Sequence, residues 1–301
     1  MGRVDADRFA IVGPNYRQWV PTAKPRSKFS ILIRYPWISI GILSVIVLGC
    51  IFADLICTHD PSMYYLDHLN EAPNAEFLFG TDSLGRDLFS AIWYGGRSSL
   101  IIGILSMAIV TGIGVTYGCV NGLVNTIGDI LMQRVVELFH SIPTILLCIL
   151  LMAVLGTQNV LSISFVIAVT SWFALARIVR SEVRQIRNNE YVLAAKAMGS
   201  DFWHLLRIHL VPNIIPAIMF VVISSISACI TMESTLSFLG LGLPLDILSW
   251  GSLLSLANRA LLLNTWWVII IPGVFIVVTL SCITSIANYF RKESNKKPSR
   301  L

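Results

Sequence analysis

Residues 190–213 read Glu-Tyr-Val-Leu-Ala-Ala-Lys-Ala-Met-Gly-Ser-Asp-Phe-Trp-His-Leu-Leu-Arg-Ile-His-Leu-Val-Pro-Asn. They form the one long polar interruption between apolar runs in the second half of the chain. Residues 190–198 favour helix, Gly199 suits the left-handed residue that closes a helix, Ser200 or Asp201 can cap the next one, and Pro212 marks the end of that second helix. The stretch therefore reads as helix, sharp turn, helix, and the fold turns on whether the apolar runs around it cross a bilayer.

Composition says that they do. Of 301 residues, 55% are hydrophobic and 13% charged, and the mean hydropathy is +0.74, beyond what a soluble domain carries without exposing aggregation-prone surface. Several runs approach the ~20 apolar residues that a helix needs to cross a bilayer, and none shows the short alternating segments of a membrane barrel. Six crossings are predicted, at residues 35–57, 98–120, 131–155, 160–177, 214–238 and 266–289. The first follows 34 residues and is longer than the ~7–15 apolar residues of a signal core, so it reads as a retained anchor.

Basic residues give the orientation. Of 22 Lys and Arg, 19 fall in segments that lie inside if the amino terminus lies inside; Arg86, Arg97 and Arg259 are the rest. Both termini and the 190–213 stretch are expected in the cytoplasm. The net charge of +5 then reflects topology, and no nucleic-acid partner is implied. Cys50, Cys57, Cys119, Cys148, Cys229 and Cys282 sit within or at the edges of apolar runs without paired metal-type spacing, so they read as packing residues and no metal site is expected.

Glu190-Tyr191-Val192, Ala194-Ala195, Gly199, His209 and Pro212-Asn213, in that order, resemble the cytoplasmic coupling motif of bacterial ABC importer permeases, in the version found in the dipeptide, oligopeptide and nickel branch. The general pattern has Glu directly before the two alanines; here Leu193 stands there and the acid is Glu190. The resemblance implies an all-α integral membrane fold of the type I ABC importer permease kind, with six transmembrane helices and a cytoplasmic coupling helix. It also implies that Glu190, Tyr191, Ala194, Ala195, Ala197, Met198, Gly199, His209 and Pro212 couple the chain to ATPase subunits. Taken alone, the same residues also allow an ordinary amphipathic surface helix. Further pieces resemble signatures of that branch: Phe79-Gly80-Thr81-Asp82-Ser83-Leu84-Gly85-Arg86-Asp87, Tyr94-Gly95-Gly96-Arg97-Ser98-Ser99-Leu100, and Trp250-Gly251-Ser252 after a Leu-Gly-Leu-Gly-Leu-Pro run.

Within the outer segment 58–97, Gly80 and Gly85 among Asp82, Arg86 and Asp87 predict tight turns locked by charge-assisted hydrogen bonds. Arg97 completes the signature. Mutual satisfaction of these charges is favoured over contact with solute, while the resemblance implies docking of an extracytoplasmic solute-binding protein on the segment. Gly114, Gly118 and Gly122 recur every four residues, with Gly103 and Gly112 nearby, a small-residue stripe on which another helix can pack closely. Arg134 and Glu137 are spaced to pair on one helix face. Arg180, Arg184 and Arg187, beside Glu182, share a face that reads as solvated or turned to lipid headgroups.

Glu233 lies about twenty residues into the fifth crossing, where an acid is costly unless it meets water or a partner. With Ser234 it is the candidate for lining or gating a translocation path, against the plainer reading of interhelical hydrogen bonding. Residues 240–264 predict an outer loop that dips toward the protein. Trp266 and Trp267 predict an outer interface anchor for the last crossing, with Arg291-Lys292 stopping it inside. The 1–34 arm, with Lys24, Arg26 and Lys28, places positive charge near anionic headgroups.

No Gly-x-x-x-x-Gly-Lys-Ser/Thr phosphate loop occurs. No cofactor or catalytic residue is therefore expected in this chain, and ATP and magnesium are expected on two partner ATPase subunits. The organisation expected is a 1–34 tail, a first helix at 35–57, an outer segment at 58–97, a permease domain at 98–289 with its coupling loop at 178–213, and a 290–301 tail. By resemblance the chain is half of a pore in the bacterial cell membrane. It would pair with a second homologous permease and a solute-binding protein to move di- or oligopeptides, with nickel or a metal chelate as the alternative. A secondary transporter or channel is the other class; Glu233 is nearly the only deep acid and no internal repeat is evident, which argues against it.

Overall fold

The computed structural model describes residues 35–244 and 246–294. The amino-terminal arm and the tail from residue 295, including the arm's basic residues, lie outside them. Among the described residues the chain is helical, and its one β-type pairing is a single bridge between Thr81 and Asp87.

The first apolar run forms α1 (Trp37–Ile51) and a short α2 (Ala53–Ile56), separated by a break at Phe52. After the outer segment comes α3 (Leu88–Leu123), which has 36 residues and starts ten residues before the crossing expected at 98–120. The cause is Asp87, whose carboxylate accepts from the backbone N–H groups of Phe89 and Ser90 and so caps the helix there. The Tyr94–Leu100 piece is consequently helix, and its two glycines let neighbours approach. A Cβ on Gly95 would stand 3.1 Å from the Ser249 backbone, and one on Gly96 would stand 2.4 Å from the Cys50 sulfur.

The single crossing expected at 131–155 is two helices, α4 (Thr126–His140) and α5 (Thr144–Leu155), bent by 83°. Pro143 ends any continuous ladder because it lacks an N–H and crowds the preceding turn. A second bent pair follows, α6 (Val160–Ser171) and α7 (Phe173–Ile186), at 47°. Then come α8 (Glu190–Ala197), a single turn α9 (Phe202–His204), a wide turn over Leu205–Leu210, and α10 (Val211–Phe238). The end expected at Pro212 does not occur: residues 205–238 are one continuous helical rod. The wide π-type turn explains it, since it already departs from the regular ladder where the proline ring and its missing donor must be accommodated. Two short helices, α11 (Trp250–Leu254) and α12 (Ala257–Leu262), precede α13 (Trp267–Ser294).

Three helices are long and apolar enough to cross a membrane singly: α3, the 205–238 rod and α13. Two buried clusters organise them. The first cluster joins α3 to α5, α6, α7, α8 and the rod, through residues such as Ile167, Leu175, Val179, Val192 and Leu210. The second cluster gathers α1, the start of α3, α11 and α13 around Ile92, Trp250 and Ile276.

Candidate functional site

The elbow at 190–213 is built by its sequence. Gly199 has φ +82° and closes α8 in a Schellman arrangement: its own N–H donates to the Lys196 carbonyl at 3.0 Å and that of Ser200 to the Ala195 carbonyl at 3.1 Å. A residue with a Cβ is strained at this φ. The two faces of α8 then separate. Val192 and Ala195 are buried in the first cluster with Leu205, Leu206 and Leu210. Glu190, Tyr191, Leu193, Ala194, Ala197, Met198 and Gly199 are exposed, Met198 to 80%. Ala195 packs inward; its three-residue helical spacing from Val192 puts its methyl on the core side. His209 is half-buried, its ring 6.2 Å from that of Tyr191, and Pro212 is exposed. Asn213 Nδ2 donates to the His209 carbonyl at 2.6 Å, filling a backbone acceptor next to the proline.

The basic stripe on α7 does not face solvent alone. Arg180 donates from Nε and from its terminal nitrogen to the two oxygens of Asp129 on α4, at 2.5 and 2.6 Å, and Arg184 approaches the same carboxylate at 3.1 Å. Arg187 donates to the Gly122 carbonyl at 2.9 Å. Arg134 and Glu137 do pair, at 2.6 Å on an exposed face.

At the opposite end, Glu233 is fully buried. Ser249 and Ser237 donate to its Oε1 at 2.7 and 2.9 Å, and Ser99 and Ser234 to its Oε2 at 3.2 and 3.4 Å. Three of those hydroxyls in turn accept from backbone N–H groups of the outer loop: Ser249 from Ser252 at 2.9 Å, Ser99 from Trp250 at 3.1 Å, and Ser237 from Leu243 at 3.2 Å. Hydrogen bonding between helices describes the surroundings of Glu233 and Ser234. No sequence pattern marks the set, because Ser99, Ser234, Ser237 and Ser249 come from α3, α10 and the loop before α11.

The outer segment is locked as its charges predict. Asp82 accepts from the N–H groups of Leu84 and Arg86 and from Arg86 Nε, at 2.8, 3.0 and 2.8 Å, with Gly80 at φ +73° and Gly85 at φ +75°. All three charged side chains, Asp82, Arg86 and Asp87, are buried. Arg97 lies inside α3 and donates to the carbonyls of Cys50 and Ile51 at 2.5 and 3.0 Å and to Asp54 at 2.7 Å. It thus satisfies acceptors freed by the break between α1 and α2. Trp267, expected as an interface anchor, is buried, and its indole N–H donates to the Thr81 carbonyl at 3.1 Å; Trp266 remains exposed.

His68 carries a testable charge effect. Its Nδ1 lies 2.6 Å from Glu71 Oε2, and that hydrogen bond raises the imidazole above its ordinary value of 6.5. A raised folded value means that the contribution to order is complete below the ordinary value and is lost as pH climbs through the raised one. Amide exchange over residues 66–71, corrected for its intrinsic rate, is expected to accelerate as pH rises from below the ordinary histidine value through the raised one. In Glu71→Gln that step is absent.

These features define a membrane-embedded, all-helical permease subunit with a projecting helical elbow. The chain belongs to the family described as the binding-protein-dependent transport system inner membrane component, which matches residues 111–294. It is 37% identical over 239 residues to the dipeptide transport system permease protein DppC of Bacillus subtilis (strain 168), covering 79% of this chain and 74% of that protein. It is 36% identical to the oligopeptide transport system permease protein OppC of the same organism, covering 79% and 78%, and 36% identical to OppC of Haemophilus influenzae, covering 76% and 74%. In fold it is similar to a chain of the MetNI methionine ABC transporter solved in inward-facing conformations, with TM-score 0.55 and 16% identity over 68% of this chain and 96% of that one.

Proposed function

We propose that the chain is one of the two membrane halves of an ATP-driven importer of di- or oligopeptides. The relatives named above are peptide permeases, which favours peptide over nickel or a metal chelate as cargo. In this reading the chain crosses the membrane six times: α1–α2, α3, each bent pair, the 205–238 rod and α13. The asymmetry of Lys and Arg supports a cytoplasmic position for both termini and the elbow. Two ATPase subunits carry ATP and magnesium, a second homologous permease completes the pore, and a solute-binding protein docks outside on the locked 58–87 segment.

The observation that carries the coupling role is the two-faced helix α8. Its inner face is anchored in the core while Tyr191, Leu193 and Met198 stand exposed, as a helix needs if it is to fill a cleft on a water-soluble motor. Glu190, Ala194, Ala197, Gly199, His209 and Pro212 frame that surface, and Ala195 supports it from beneath.

Two measurements test the reading. Cysteine introduced by Ala197→Cys should crosslink to an ATPase subunit, and Gly199→Pro, which cannot hold φ near +82°, should insert normally yet abolish ATP-dependent uptake. Normal uptake in Gly199→Pro, with no crosslink from position 197, would sink the proposal. Mass spectrometry of ligand retained by the complex with its binding protein decides between peptide and metal.

A further inference from the structure

The stripe of arginines on α7 and Asp129 on α4 have no part in the proposed function, yet they meet at the root of the elbow. Asp129 is 5% exposed and sits between two guanidinium groups, one of which engages it through two hydrogen bonds at 2.5 and 2.6 Å while the other lies at 3.1 Å. A bidentate fork fixes direction as well as distance, unlike a single exposed ion pair. Next along the chain, Arg187 pins its own position to the last turn of α3 through the Gly122 carbonyl at 2.9 Å. Only residues 187–189 then separate α7 from α8. The flank of α7 is held as closely: a Cβ on Gly118 or Gly122 of α3 would come within 2.6 Å of atoms of α7.

We propose that Asp129 is a positioning residue that clamps α7 to α4, so that a displacement of α8 moves α7, α4 and the inner end of α3 as one body. The inference rests on the coupling role given to α8. Its physical content is a comparison of hinges. Without the clamp the most compliant element is the short 187–189 connection, and a push on α8 bends that connection and is absorbed there. With the clamp and the Arg187 bond in place, the nearest compliant point moves beyond α4, to the 83° break at 141–143, and the push reaches the membrane-embedded helices.

The test uses the complete complex in lipid nanodiscs, with spin labels on cysteines placed by Lys196→Cys on α8 and Leu138→Cys on α4, both exposed positions. Distances are measured without nucleotide and after trapping with ATP and vanadate. With Asp129 intact, the distance distribution is expected to stay narrow and unchanged between the two states. In Asp129→Asn it is expected to broaden or shift on trapping, while the thermal midpoint and subunit composition hold and solute moved per ATP hydrolysed falls by more than half. Asp129→Glu, which keeps the charge, should recover most of the wild-type behaviour.

A trapped Asp129→Asn distribution as narrow as that of wild type, or a wild-type distribution that itself broadens, overturns the clamp. Should Asp129→Asn fail to assemble, Arg184→Gln removes one guanidinium and leaves the bidentate pair; partial broadening there supports the proposal and none overturns it. The Ala197→Cys crosslink to an ATPase subunit is recorded in the same preparation. A missing crosslink fails the coupling role itself, whereas a present crosslink with unaltered distances fails only the clamp.

Discussion

Glu233→Leu is expected to loosen the packing of residues 243–252 against α3 and α10 while leaving the elbow end of the protein folded. Three chains of hydrogen bonds begin at the N–H groups of Leu243, Trp250 and Ser252, pass through the hydroxyls of Ser237, Ser99 and Ser249, and end on the Glu233 carboxyl oxygens. Leucine fills much of the space and accepts nothing, so the hydroxyls that ended on Glu233 lose their acceptor inside the protein. At about 1–3 kcal/mol for each buried polar group left without a partner, the loss reaches at least ~3 kcal/mol. Hydrogen exchange reads it directly: the amides of Leu243, Trp250 and Ser252 should lose protection, while those of α7 keep theirs. Glu233→Gln retains one accepting oxygen but turns an NH2 group toward hydroxyl donors, so a smaller loss at the same amides is expected. Unchanged protection in both variants, with altered solute preference, would instead place Glu233 on the transport path.

The local features of this architecture were far more legible than those made across sequence distance. In α8 and its turn, residue type and spacing coincide with local physics: helix formers, a glycine where φ is positive, then polar residues that restart the chain. Pairing of Arg134 with Glu137 was equally local. Contacts made across sequence distance were not. Asp129 and Arg180 are 51 residues apart, and Ser99 is 134 from Glu233, so a reading along the chain saw a solvated or headgroup-facing stripe in one case and could not name the hydrogen-bond partners in the other. Hydropathy likewise found the apolar runs but not their bends, because Pro143 alters direction without altering apolar character. Trp267 misled for a related reason. An indole at the end of an apolar run resembles an interface anchor, and only the Thr81 carbonyl opposite shows that it fastens two parts of the same chain.

The glycines of α3 show where a repeat can be trusted, and they set up the second large effect. Gly112 and Gly118 lie on the same helix, but a Cβ on Gly118 would sit 2.6 Å from the Ala176 carbonyl oxygen and 2.7 Å from Val179 Cβ, whereas one on Gly112 meets nothing within 4 Å. Gly114 and Gly122 share the crowded side, facing Leu175 and Val183. In a membrane the attraction between helices comes from close packing and not from exclusion of water, so a separation forced at one turn forfeits contact along the whole seam. Gly118→Val is therefore expected to cost ~3 kcal/mol or more, the upper end of overpacking penalties, because the obstructing atom is backbone and cannot rotate away. Gly112→Val should leave the thermal midpoint of the detergent-solubilised chain near that of wild type. The seam also carries the arginines that hold Asp129, so parting α3 from α7 should release the Arg187 bond to Gly122 as well. Thermal unfolding of the two variants side by side checks both expectations, and equal midpoints would show that α3 and α7 are not in the close contact described.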